Sequence, residues 1–441
     1  MPATLLTHAT VVTLDRDDRI LVDAAVAIAD GTIVAVGQPP ADFVADEVID
    51  LGGRVVMPGL YNAHTHAAMT FARGYAEDLP LERWFNERIW RLESALTPEM
   101  VYWGTLLALV EMIRGGVVGF ADHYFYMDRV AEAVTMAGMR ANLAWAVFGR
   151  PDEAEVGITV PQTLEFVRRY DGAADGRLRA MFGPHSPYLC PDAFLARTAA
   201  VAVREQIGIH IHAAETAAQV QASLARYDMT PIEFLADRGL FETRALVAHA
   251  IHTTDVDLEI LARKGVGVVV CPVTHAKYSM GVARVPDMLR QGITVALGTD
   301  GAGSSTALNM WAEMRTLVLV QRLTRQDPTV LAGSWPLRLA TVNGAYALGF
   351  EKAGMIAPGY AADLIVVDIL AAHFQPLHDV VAALVWCTQP ADVRDVMVAG
   401  RWLLRERRLL TLDETAILAG FHDELARMLA RPLKQFKAYA P

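Results

Sequence analysis

The sequence predicts a (β/α)8 barrel of the TIM type, joined to a small β-sandwich domain formed from both chain ends. Three observations predict it. Eight short apolar runs alternate with helix-patterned stretches through the middle of the chain, the pattern of parallel strands with crossover helices. The two ends share a β-rich texture. Histidines collect where the apolar runs stop.

Residues 1–57 hold β segments at Ala9–Leu14, Ala24–Ile28 and Thr32–Val36, and the Asp30-Gly31 pair between the last two signals a hairpin. The barrel strands are read at Val55–Leu60, Val117–Ala121, Ala141–Val147, Leu178–Phe182, Ile207–Ile211, Ala245–Ala248, Val266–Val270 and Thr294–Leu297. Helical patterns such as Pro98–Arg114 and Asp192–Glu205 separate them. Eight such units favour a closed barrel over an open sheet, with the active site at the C-terminal strand ends. The β texture returns at Ala362–Asp368 and Val396–Trp402. The small domain is therefore read as residues 1–57 together with 354–410, the barrel as 58–353, and 411–441 as a C-terminal helical segment.

At 441 residues, a length prior gives about three domains, although α/β barrels run as one large unit. Apolar residues make up 53% and charged residues 20%, enough for a large core and against global disorder. Lys plus Arg is 39 and Asp plus Glu 50, a formal charge of −11. With no basic cluster, nucleic-acid binding is excluded, because phosphate contacts need concentrated Lys and Arg. Cys190, Cys271 and Cys387 are scattered and odd in number, which fits a reducing cytoplasm better than a disulfide framework. The N-terminus lacks the charged and apolar regions of a signal peptide, and no apolar stretch reaches the ~20 residues that span a bilayer. The reading is a cytoplasmic protein with a small-molecule substrate and no nucleic-acid or membrane partner, homo-oligomerisation being left open.

His64 and His66 close the first run in Pro58-Gly59-Leu60-Tyr61-Asn62-Ala63-His64-Thr65-His66. On a strand, i and i+2 share one face, and two neutral imidazoles pointing the same way make half a metal site. Other strand ends supply more candidates. His123 follows the second run and His185 the fourth, His210 and His212 lie at the fifth, and His249 and His252 follow the sixth. His275 comes shortly after the seventh, and Asp300 ends the eighth in Gly298-Thr299-Asp300-Gly301. Core packing alone predicts no such bias, and a mononuclear zinc centre wants three or four N/O ligands.

These segments, with Phe182-Gly183-Pro184-His185-Ser186-Pro187-Tyr188, His212-Ala213-Ala214-Glu215-Thr216 and the tail Gly354–Leu364, resemble the amidohydrolase superfamily. Within it they look like the 5-methylthioadenosine/S-adenosylhomocysteine deaminase group, over nearly the whole chain. By that resemblance His64, His66, His212 and Asp300 bind one divalent metal ion, zinc first and iron second. Three nitrogens and one carboxylate leave a position open for water, whose pKa such a metal lowers from 15.7 to about 7. Binuclear relatives carry a carboxylated lysine at the end of the fourth strand; here that strand ends in Gly183-Pro184-His185, so one metal is expected. The implied reaction is hydrolytic deamination by metal-bound hydroxide, releasing ammonia. Glu215 would shuttle a proton to the ring, Asp300 would take the water proton, and His249 would hydrogen-bond the attacking and developing oxygens. A positioned acid or base of this kind contributes about 10²–10⁴ in rate.

Two further residues concern grip on the substrate. His185 matches a position that contacts the base, the alternative being a partner of a metal ligand. Glu93 matches the glutamate that holds the ribose hydroxyls, two acceptor oxygens suiting a vicinal diol; a solvated helix glutamate is the plainer reading. His123, His210, His252 and His275 are read as packing or supporting residues. Trp84, Phe85 and Trp90 line or lid the pocket, or belong to an interdomain core.

Two departures bear on the substrate. The relatives hold the amino-acid end of S-adenosylhomocysteine with arginines, one near the end of the third strand, where this chain has Trp145; Arg150 lies nearby. The loop Cys271–Tyr278 also differs from the family pattern. Both point to a smaller or less anionic substrate: methylthioadenosine, adenosine, or another amino-heterocycle such as an oxidised guanine, a pterin or a triazine. A catalytically inactive scaffold is the competing class, and the intact polar set speaks against it.

Overall fold

The computed structural model describes residues 2–150, 153–156 and 158–434, with side chains left out at 149–150 and 153–156. Eight parallel strands form the barrel in chain order. They are β1 (Leu60–Thr65), β2 (Val117–Tyr124), β3 (Arg140–Arg150), β4 (Leu178–Pro184), β5 (Ile209–Ala213), β6 (Ala245–His249), β7 (Gly267–Val270) and β8 (Val295–Leu297). Every residue of β1, β2, β5, β6, β7 and β8 is buried. Helices cover one face and the barrel interior the other, which buries both faces of each strand.

The barrel closes where β8 returns to β1. The Asp300 N–H donates to the His64 carbonyl at 3.0 Å. Asn62 donates to the Thr299 hydroxyl at 2.7 Å and accepts from the Thr299 N–H at 2.9 Å. A Cβ on Gly298 would lie 2.7 Å from the His64 backbone nitrogen and oxygen, a separation no side chain tolerates. Glycine there lets the strand carrying Asp300 touch the strand carrying His64.

The segment read as one first strand, Val55–Leu60, is two. Val55–Pro58 pairs antiparallel with Leu364–Val367 and parallel with Thr10–Val11, and the barrel strand begins after Gly59. Those strands belong to a nine-stranded mixed sheet that draws Thr4–Val12, Ile20–Ala29, Thr32–Gly37 and Glu47–Asp50 from the N-terminal end. From the C-terminal end it takes Leu364–Val367, Val393–Val398, Arg401–Arg405 and Arg408–Leu409. Asp30 and Gly31 both take positive φ, +48° and +75°, as the hairpin turn requires. The sheet gathers its own core from Leu6, Val26, Ile33, Val56, Val366 and Met397. The alternate residues Val55, Met57, Ile365 and Val367 pack into the barrel core, so one pleated surface serves two domains.

A buried polar staple reinforces that junction. Asp363 accepts from Arg140 Nε and from the Tyr61 hydroxyl, both at 2.6 Å, and from the Ala399 N–H at 2.8 Å. Around the barrel, Thr97 caps helix Pro98–Arg114, and capping boxes at Thr216, Thr230 and Thr254 open three later helices. The C-terminal segment contains helix Glu414–Leu429; residues 435–441 lie outside the described residues. Among the described residues, no helix is long and apolar enough to cross a membrane.

Candidate metal centre and active site

His64, His66 and His212 converge at the C-terminal end of the barrel, each offering one nitrogen, all three within 4.8 Å of one another. Each ring is held from behind. His66 Nδ1 donates to the His123 carbonyl at 2.6 Å and His212 Nδ1 to the His185 carbonyl at 2.9 Å, while His64 Nδ1 lies 2.9 Å from His210 Nε2. A proton fixed on Nδ1 leaves Nε2 free to ligate. His64 Nε2 is buried without any hydrogen-bond partner, a costly state for a polar atom unless a cation takes its lone pair. Burial keeps the His64 and His212 imidazoles well below their usual pKa, hence neutral as metal binding requires.

Asp300 Oδ1 lies 3.2 Å from His66 Nε2 and 3.7 Å from His64 Nε2. Burial would raise this carboxyl, but hydrogen bonding to His66 and the neighbouring positive charge hold it well below the usual range. Burial would likewise lower His66, yet Asp300 raises it to about 9. The carboxylate thus draws positive charge to the place where a divalent cation would sit. The donor set fits the metal: His64, His66 and His212 would hold a divalent ion, and Asp300 stands beside them. Among the described residues this is the one cluster of three or more such groups.

Glu215 follows β5 and is 5% exposed. Tyr188 and Gln219 both donate to its Oε2, at 2.7 and 3.2 Å. Its Oε1 lies 3.7 Å from His249 Nε2. His249 ends β6, and His185 stacks on His212 with ring centroids 4.5 Å apart. Glu93 accepts from the Tyr124 hydroxyl, and burial raises its carboxyl to about 7. Glu93, Tyr124, His185, His212, Glu215 and His249 line one cavity. Trp84, Phe85 and Trp90 also line it, Trp84 and Phe85 meeting edge to face at 4.7 Å.

Trp145 is not brought to this cavity. Its neighbours Ala146 and Phe148 line the wall, while the Trp145 ring meets Phe166 edge-on at 5.4 Å. Successive strand residues point to opposite faces, so Trp145 faces the helix layer. The Arg150 side chain lies outside the described residues. The supporting histidines separate into distinct roles: His123 Nε2 bonds the Gly183 carbonyl at 3.1 Å and His252 Nε2 the Met280 carbonyl at 2.7 Å. Sequence reasoning missed Tyr124, Tyr188 and Gln219. Only the Thr216–Gln219 capping spacing hinted at the last.

An eight-stranded parallel barrel with a three-histidine metal centre at its C-terminal strand ends defines a metal-dependent hydrolase. Residues 55–403 match the amidohydrolase family, and the chain belongs to it. The relatives include a 5-methylthioadenosine/S-adenosylhomocysteine deaminase from Pelotomaculum thermopropionicum, 44% identical over 97% of this chain and 99% of that protein. A 5'-deoxyadenosine deaminase from Methanosarcina mazei is 41% identical over 97% and 98%. Among solved structures, an adenosine deaminase from Xanthomonas campestris with bound zinc superposes with a TM-score of 0.91 at 34% identity, covering 97% and 99%.

Proposed function

We propose that this protein is a metal-dependent deaminase of adenosine-type nucleosides with an uncharged 5' end, with zinc as the resident ion. The observation that carries the reading is Glu215: its Oε2 is occupied by Tyr188 and Gln219, and its Oε1 faces His249 across the cavity beside the three-histidine centre. When bound, the metal supplies the Lewis acidity that makes water nucleophilic near neutral pH. Water adds to the amino-bearing ring carbon, and Asp300 takes a water proton. Glu215 passes the other water proton to the ring nitrogen, Asp300 returns its proton to the amine, the C–N bond breaks, and ammonia leaves as the carbonyl forms. His249 hydrogen-bonds the developing oxygen, a preorganised donor at the place where charge grows. His185 contacts the base from the cavity wall, and Glu93 accepts from the ribose diol.

The uncharged 5' end follows from the lining. Phe85, Trp90, Phe125 and Phe148 are among the residues lining the cavity, and no lysine or arginine lines it among the described residues. The names of the deaminase relatives support the nucleoside class. Ammonia release is the test, across methylthioadenosine, 5'-deoxyadenosine, adenosine, S-adenosylhomocysteine, oxidised guanines, pterins and triazines. Turnover of the first three is expected, well above S-adenosylhomocysteine. Turnover confined to the non-nucleosides would overturn the reading.

A further inference from the structure

His249 sits at the end of β6 with φ +77°, a left-handed backbone that a non-glycine residue holds only when its surroundings fix it. The ring is 1% exposed and stacks on His212, centroids 5.4 Å apart and planes 22° from parallel. Stacking sets the plane of an imidazole. It does not set which edge faces which way, because rotating the ring by half a turn about its bond to Cβ preserves the stack and exchanges nitrogens for carbons. A directional bond must choose. His249 Nδ1 lies 3.1 Å from His275 Nε2, and that contact turns His249 Nε2 toward Glu215 Oε1.

His275 is well mounted for this task. It is 4% exposed and lies on helix Pro272–Lys277, directly after β7. Its N–H donates to the Cys271 carbonyl and its carbonyl accepts from Met280, both at 2.9 Å. The first turn of that helix is tied down by Glu313, 1% exposed, whose carboxylate accepts from the Val273 N–H at 2.9 Å. His275 does not line the active-site cavity, so it acts through His249.

We infer that His275 is the positioning residue of His249: the imidazole–imidazole hydrogen bond selects the ring orientation that presents Nε2 to the reacting atoms. The functional half of this inference rests on the deaminase reading; the hydrogen bond itself does not. The test uses zinc-loaded full-length wild type, H275L and H275Q. The glutamine keeps a polar group for His249 Nδ1; the leucine keeps only bulk. Without substrate, ¹⁵N-histidine NMR of the wild type should show a hydrogen-bonded imidazole N–H shared by the two rings, lost in H275L. With methylthioadenosine, H275L should lose about 10–100-fold in kcat, the usual cost of removing a partner that orients a functional histidine. Its KM and zinc content should stay at wild type, and H275Q should recover most of kcat. If H275L does not fold, the wild-type resonance and the near-normal kcat of H275Q carry the test. A wild type without that resonance, or H275L with undiminished kcat, overturns the inference. A wild type that turns over no nucleoside overturns the deaminase reading, while the resonance still decides the positioning.

Discussion

His64 Nδ1 lies 2.9 Å from Nε2 of His210, two residues before His212 on the same strand. β5 therefore contributes twice to the metal centre: His212 as a ligand, and His210 as the support of a ligand on β1. Their i, i+2 spacing places both rings on the inner face, and burial lowers His210 to about 3, so it meets His64 as a neutral ring. Replacing it with leucine should weaken zinc binding by about 10–100-fold. Chelator competition followed by metal analysis measures the change; wild-type affinity would mean that His210 only packs.

For Glu215→Gln, zinc content should match wild type while kcat falls by about 10²–10⁴, the contribution of a positioned proton carrier. The amide keeps the shape and the contacts of Oε2, so folding should be unaffected. Single-turnover deamination with metal analysis on the same sample reads both quantities.

Glu93 gives a pH signature. Burial raises its carboxyl to about 7, and only the ionised form accepts from both ribose hydroxyls. The preference for a nucleoside over its free base, as a ratio of kcat/KM values, should rise as pH increases through about 7. Below that the protonated acid grips the diol poorly and the ratio should level off low. Glu93→Gln should flatten the profile, while a pH-independent ratio in the wild type would remove the diol role.

At the domain junction, Asp363→Ala should destabilise the fold by about 3–5 kcal/mol, the usual cost of leaving one partner of a buried ion pair alone. Arg140, Tyr61 and the Ala399 N–H would all lose an acceptor. Denaturant unfolding measures the loss, and replacing Arg140 and Asp363 together with apolar residues should cost less than Asp363→Ala.

Much of this molecule was legible because its signals are local. Eight apolar runs, the Asp30-Gly31 hairpin and the His64-Thr65-His66 spacing each follow from backbone geometry acting over a few residues. The first strand reads as one because the apolar run of Val55–Pro58 carries on through Gly59 into Leu60; only the partners, Leu364–Val367 on one side and Val117–Tyr124 on the other, tell the two sheets apart. Trp145 stands where the relatives carry a substrate arginine, but the parity of β3 turns its ring to Phe166 and away from the cavity.

The sequence by itself determined the barrel, the two-ended small domain and the residues able to hold a metal, since periodicity and residue chemistry are properties of short segments. Tertiary structure alone decided which polar atoms serve which: His210 behind His64, His275 behind His249, Tyr188 and Gln219 on one oxygen of Glu215. Those pairings join residues distant in sequence, and a directional hydrogen bond exists only once the backbone has fixed both its ends.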